Sequence, residues 1–177
     1  MESLRNNHRN KLDKITKYFN AERAESLLFV LVGLIAIVCA LYFFVKIKQP
    51  FYNGMSYSLV AIALIQITVG GLVYFRSPKD MERVNKMVQT EKEKIQSEEI
   101  PRMNTVIKNF VLYRWIEIGF LLIGFALFFI FQPETFWKGF GIGLSIQSIF
   151  MLVLDFFAES RGKVYLDYLQ NFSSNIS

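Results

Sequence analysis

The sequence predicts an all-α, polytopic membrane protein with four transmembrane helices and amphipathic cytosolic helices. Three observations carry that expectation. Four blocks of roughly 20 residues are almost free of charge, about the helical length that crosses a bilayer. The charges are dense between those blocks, although the chain as a whole is only 53% hydrophobic across 177 residues. Lysine and arginine are also distributed very unevenly among the segments that flank the blocks.

The predicted organisation has five parts. Residues 1–25 form an N-terminal amphipathic helix, 26–75 a first transmembrane hairpin and 76–109 a helical connector. Residues 110–158 form a second hairpin and 159–177 a C-terminal helix. In the first part Leu4, Leu12, Ile15 and Phe19 recur at helical spacing, a thin apolar stripe on a basic segment. This suits a helix lying on a membrane or against other cytosolic helices. A nucleic-acid arm is disfavoured, because Glu2, Asp13, Glu22 and Glu25 offset the positive charge and aromatic residues do not interleave with it.

The first span covers about 26–45 and ends at Lys46 and Lys48, with Gln49-Pro50 as the turn. With no cleavage site near its apolar run, it is expected to serve as an uncleaved anchor. The second span covers about 54–75 and carries Gln66 and Thr68 in its interior, with Gly70-Gly71 suited to close helix contact. Ser77-Pro78 reads as the start of a new helix, with Ser77 as its cap and Pro78 in its first turn. Pro101 is expected to break or kink that helix. Glu82/Lys86 and Glu98/Arg102 have the (i, i+4) spacing that supports a helix surface.

The third span, Phe110 to Phe131, holds two charges, Arg114 and Glu117, three residues apart and so on one helix face. Gln132-Pro133-Glu134 is the next turn. The fourth span, about 136–158, concentrates Gly139, Gly141, Gly143, Ser145, Gln147 and Ser148 in its first half, and Asp155 and Glu159 mark its exit. A short amphipathic helix through Tyr165, Leu169 and Phe172 is expected to finish the chain, with the last residues frayed. Tyr52, Tyr113, Trp115 and Trp137 fall where interfacial aromatic belts form.

Seventeen of the 20 lysines and arginines lie in the head, connector and tail, and three lie near the two turns. The positive-inside rule then puts both termini and the connector in the cytoplasm of a multi-pass protein of the cell inner membrane. The two hairpins can also be aligned. Arg23, Phe29 and Gly33 meet Arg114, Phe120 and Gly124, while Phe51, Gly54 and Arg76 meet Phe136, Gly139 and Arg161. This suggests a 2+2 parallel repeat about an axis along the membrane normal.

The candidate site is a charged belt at the cytosolic membrane edge: Arg23, Glu25, Arg76, Arg114, Glu117, Asp155, Glu159 and Arg161. One reading makes it a structural clamp of ion pairs. A second makes it a vestibule to a transport path, since ionisable groups at membrane depth mark such paths. A third makes Glu117, Asp155 and Glu159 a catalytic or Mg²⁺/Ca²⁺ site, which no accompanying motif supports. Gln66, Thr68 and Gln147 are the intramembrane polar residues, read first as helix-to-helix hydrogen-bonding groups. No metal or cofactor is expected, because one Cys and one His cannot build a zinc or haem site. An enzyme is disfavoured by the absence of a phosphate loop, a nucleophile elbow or a metalloprotease helix motif. The leading expectation is an oligomeric four-helix channel, pore-like or membrane-effector protein. A small secondary transporter, or a scaffold docking a cytosolic partner through the connector, stands beside it. The expected partners are lipid, further copies of the chain and, on the scaffold reading, a cytosolic protein, with no nucleic acid.

Overall fold

A computed structural model describes residues 2–174, with side chains from residue 12 onward. Leu4 of the predicted stripe, His8 and the frayed tip 175–177 therefore lie outside the described residues or side chains. Four long helices make up the fold: α1 Glu2–Tyr42, α2 Pro50–Thr90, α3 Ile100–Ile130 and α4 Phe136–Ser174. All four are long and apolar enough to cross a membrane. Helices α1 and α2 have 41 residues each, or about 60 Å at 1.5 Å per residue. A hydrocarbon core of about 30 Å takes only half of that length. Each helix thus has an apolar half, near the two short turns, and a polar half beyond it.

The polar halves are continuations of the apolar helices, not separate elements. The expected helix start at Ser77-Pro78 is not there. Helix α2 runs straight through, with Pro78 inside it. Ser77 does not cap; its hydroxyl donates to the Phe19 carbonyl of α1 at 3.0 Å. One backbone bond lost to proline is outweighed by what lies beyond it, since Val84, Met87 and Val88 are buried by the continued helix. The chain does not break at Pro101 either. It reverses at 91–94 and re-enters through a π-helical turn, Ile95–Glu99. Pro101 then occupies the first turn of α3, where a missing N–H costs nothing.

Backbone contacts chiefly join α1 to α2, α2 to α4 and α4 to α3, with a smaller set between α1 and α4, and among the described residues none joins α1 to α3. The arrangement is an open row, α1–α2–α4–α3, and its joints are made by small residues. A Cβ at Gly54 would collide with the Phe136 carbonyl, and one at Gly139 with the Phe51 carbonyl, so α2 and α4 touch backbone to backbone. Gly124 of α3 meets Gly141 and Ser145 of α4 in the same way. Between α1 and α2, Ala36, Ala40, Leu59 and Ala63 form the seam. The outer surfaces are strongly apolar, with Phe129 79% and Phe75 76% exposed.

In the polar half the row closes into a bundle with a core of its own. Ile15, Tyr18 and Phe19 of α1 meet Val84, Met87 and Val88 of α2. Ile95 and Met103 join them from the re-entry turn and α3, and Tyr165, Leu166, Leu169 and Phe172 from α4. The rings of Tyr18 and Tyr165 stack at 3.9 Å between centroids. The described part of the stripe read along the head, Leu12, Ile15 and Phe19, thus packs against other helices, because four amphipathic helices together exclude water better than one alone.

Candidate functional site

The junction of the two halves carries the charges. On α3, Arg114 and Glu117 share a face; on α4, Asp155, Glu159 and Lys163 follow at (i, i+4) spacing and share another. The two faces meet. Arg114 forms an ion pair with Glu159, and Lys163 reaches the other oxygen of Glu159 at 2.7 Å. Glu159 is buried, with 5% of its side chain exposed, and it takes both cations.

Glu117 lies one turn deeper and is 1% exposed. Neither of its carboxylate oxygens receives a hydrogen bond from the protein. Its charged neighbours are Asp155 and Arg114, and its carboxyl lies within hydrogen-bonding reach of that of Asp155. Two carboxylates offer each other only acceptors, so this contact needs a proton or a cation between them. Counting residues outward from the turn at Pro133 puts Arg114 close to the level of Asp155. The structure sets Arg114 on Glu159, one turn shallower, and leaves Asp155 facing Glu117.

The rest of the predicted belt is engaged elsewhere. Arg23 binds an aromatic ring and not an acid: it lies 4.3 Å from the Tyr74 ring centre and donates to the Tyr74 hydroxyl at 2.7 Å. Arg76 pairs with Asp80 at 3.0 Å and approaches Glu22 at 4.0 Å. Glu25 of α1 pairs with Arg161 of α4 and so ties the two hairpins together. Gln66 and Gln147 are both 1% exposed, and the Gln66 amide and the Gln147 Nε2 have no protein partner. Thr68 points outward and returns its hydroxyl to the Leu64 carbonyl at 2.8 Å. Trp115 and Trp137 are 66% and 50% exposed, outward-facing as a belt requires.

A second cluster has no counterpart in the sequence reading. Glu99, fully buried, accepts hydrogen bonds from Arg83 at 3.0 Å and from Arg102 at 2.6 and 2.9 Å. The Tyr165 hydroxyl adds a longer one at 3.4 Å. Asp80 lies beside the same two arginines, at 3.3 Å from Arg83 and 3.9 Å from Arg102. Burial, with the Glu99 carboxylate adding to it, pushes the Tyr165 hydroxyl far above the ordinary tyrosine range, so it stays a donor. Arg102 was expected to pair with Glu98; it uses Glu99. The available signal was position: Glu99 lies four residues from both Ile95 and Met103, on the buried stripe. Lys86, expected to support the helix with Glu82, reaches Glu91 at 3.7 Å.

Chemically, the bundle cluster is a closed set of satisfied charges, and the Glu117–Asp155 contact is an open one. Among the described residues no three His, Cys, Asp or Glu side chains converge as metal ligands. No family model, no curated protein and no solved structure matches the chain.

Proposed function

We propose that this chain is a multi-pass protein of a cell membrane, with both termini and the α2–α3 turn in the cytoplasm. We further propose that it assembles with copies of itself into a channel-type, non-enzymatic protein that passes a cation by way of Glu117 and Asp155. The observation that carries this reading is Glu117: a carboxyl sealed in the apolar half with no protein donor on either oxygen. A group of that kind at membrane depth is costly, and a transport path is the usual reason for one. The structural-clamp reading accounts for Arg114, Glu159, Glu25 and Arg161, which are paired, but not for Glu117.

Assembly is supported by the open row. Among the described residues α3 packs on α4 alone of the long helices, and α1 packs mainly on α2, so a conduit fits best between copies. The 2+2 repeat is supported by reciprocity: Gly54 rests on Phe136 as Gly139 rests on Phe51, as a two-fold axis between α2 and α4 requires. One observation favours a second reading, a scaffold that docks a cytosolic partner. The polar half has its own core and a charged surface, and that needs no site in the membrane.

Cation flux into proteoliposomes separates the two readings. Glu117→Gln is expected to lower flux by more than about tenfold, or about 1.4 kcal/mol in the barrier, with the size of the purified assembly unchanged. Unchanged flux with an intact assembly rejects the channel reading and leaves the scaffold.

A further inference from the structure

We infer that the Glu117–Asp155 pair holds one proton rather than a metal ion, and that Arg114 exchanges between this pair and Glu159 as the proton leaves and returns. This deepens the transport reading and rests on it for the location of the site in a membrane.

The ligand class follows from the donor set. A calcium ion needs six to eight oxygens, and a magnesium ion a near-octahedral shell. Here two carboxyls face each other, among the described residues no third acidic ligand joins them, and the guanidinium of Arg114 acts on them. A cation beside two carboxylates repels a metal ion but tolerates a proton, which needs only one donor and one acceptor oxygen. With the proton bound, one carboxyl donates to the other and the pair carries a single negative charge. That removes the repulsion of two adjacent anions.

The exchange follows from how the cations are shared. Arg114 sits one helical turn from Glu117 on the same face, and its charge acts on both Glu117 and Asp155 while its ion pair is with Glu159. Glu159 is doubly served, because Lys163 holds its second oxygen. Arg114 can therefore leave without stranding a buried anion. When the proton departs to water on the polar side, the pair gains one negative charge, and Arg114, one turn from Glu117 on the same helix face, is placed to answer it. The other charged groups near this end are committed: Arg161 to Glu25, Arg23 to Tyr74, and Arg76 to Asp80 and Glu22.

Infrared difference spectroscopy on the purified protein tests this directly, because a protonated carboxyl has its own C=O stretching band. The wild type is expected to show that band, to lose it on raising the pH, and to keep it when sodium or calcium is added at fixed pH. Glu117→Gln is expected to abolish it with the assembly intact. Arg114→Gln is expected to move its midpoint up by about one pH unit, since a unit of midpoint corresponds to a tenfold change in proton affinity. Glu159→Gln is expected to move it down, by freeing Arg114 for the pair. Loss of the band on adding sodium or calcium overturns proton binding in favour of a metal site. An unmoved midpoint in Arg114→Gln and Glu159→Gln overturns the exchange. A band that behaves as expected in a protein without flux rejects the transport reading alone; flux through a protein with no such band rejects the proton site alone.

Discussion

Glu22 shows how the polar half tolerates a carboxyl that is not fully compensated. It is 8% exposed, and its nearest cation, Arg76, stands off at 4.0 Å while holding Asp80 at 3.0 Å. Burial pushes the Glu22 carboxyl above the usual carboxylate range, and Arg76 opposes this only in part. The folded chain therefore holds the Glu22 proton more tightly than the unfolded chain does. The stability this contributes is present at low pH and is lost as pH rises through the folded value. Glu22→Gln is thus expected to raise the thermal midpoint at neutral pH and to lose that gain in mild acid, as measured by circular dichroism melts in detergent. Glu99 is the opposite case. Its charge is answered by Arg83 and Arg102, so Glu99→Ala strands two cations around Asp80 and is expected to cost about 3–5 kcal/mol in the same melts. The two residues look alike in sequence, as acids among mixed charge. What separates them is which neighbours other helices bring, and a single helix does not encode that.

At the scale of elements, the four apolar stretches and their turns were legible because a bilayer-length run and a prolyl turn are local signals. The ends of the helices were less so. Pro78 reads as the first turn of a new helix and Pro101 as a break, yet Pro78 lies inside a helix and Pro101 in a first turn. Tertiary burial of Val84 and Met103 decides the path there, and local propensity gives way. The glycines make the same point. Gly70 and Gly71 are adjacent and read together as a contact. A Cβ on Gly70 would meet the Ser26 carbonyl at 2.7 Å, whereas one on Gly71 would meet nothing within 4 Å. Gly71→Ala is therefore expected to be neutral or to stabilise by up to about 1 kcal/mol, through helix propensity alone. Gly139→Ala drives a methyl into the Phe51 carbonyl and is expected to destabilise by about 1–3 kcal/mol or to part α2 from α4. Melts of the two variants side by side check whether the reciprocal glycine contact holds the row together. Of the candidate site, the residues were legible and the pairings were not. Arg114 on Glu159 rather than Asp155 is a shift of one turn, smaller than the uncertainty of a hairpin register read from its loop.

The whole molecule is asymmetric along its length: a closed, polar bundle at one end and an open, apolar row at the other. The row exposes Leu27, Leu31 and Ile35 of α1, and Ile123, Phe129 and Ile130 of α3. Uncovered in water, so much contiguous apolar surface would drive aggregation, and lipid or neighbouring copies would cover it. The proposed orientation rests on the charge asymmetry, since 17 of the 20 lysines and arginines lie away from the two short turns. Single cysteines test the arrangement. Cys39 is the one cysteine of the sequence and is exposed, so it is first replaced by Ala. Ser97 lies on the re-entry turn at the polar end and Gln132 at the α3–α4 turn, and both are exposed. In intact cells a membrane-impermeant maleimide is expected to label Gln132→Cys and to reach Ser97→Cys only after permeabilisation. The reverse pattern inverts the orientation and moves the Glu117–Asp155 site to the outer edge of the membrane, where a proton would enter from outside. Labelling of both positions from the same side rejects four crossings altogether, because α3 alone separates them.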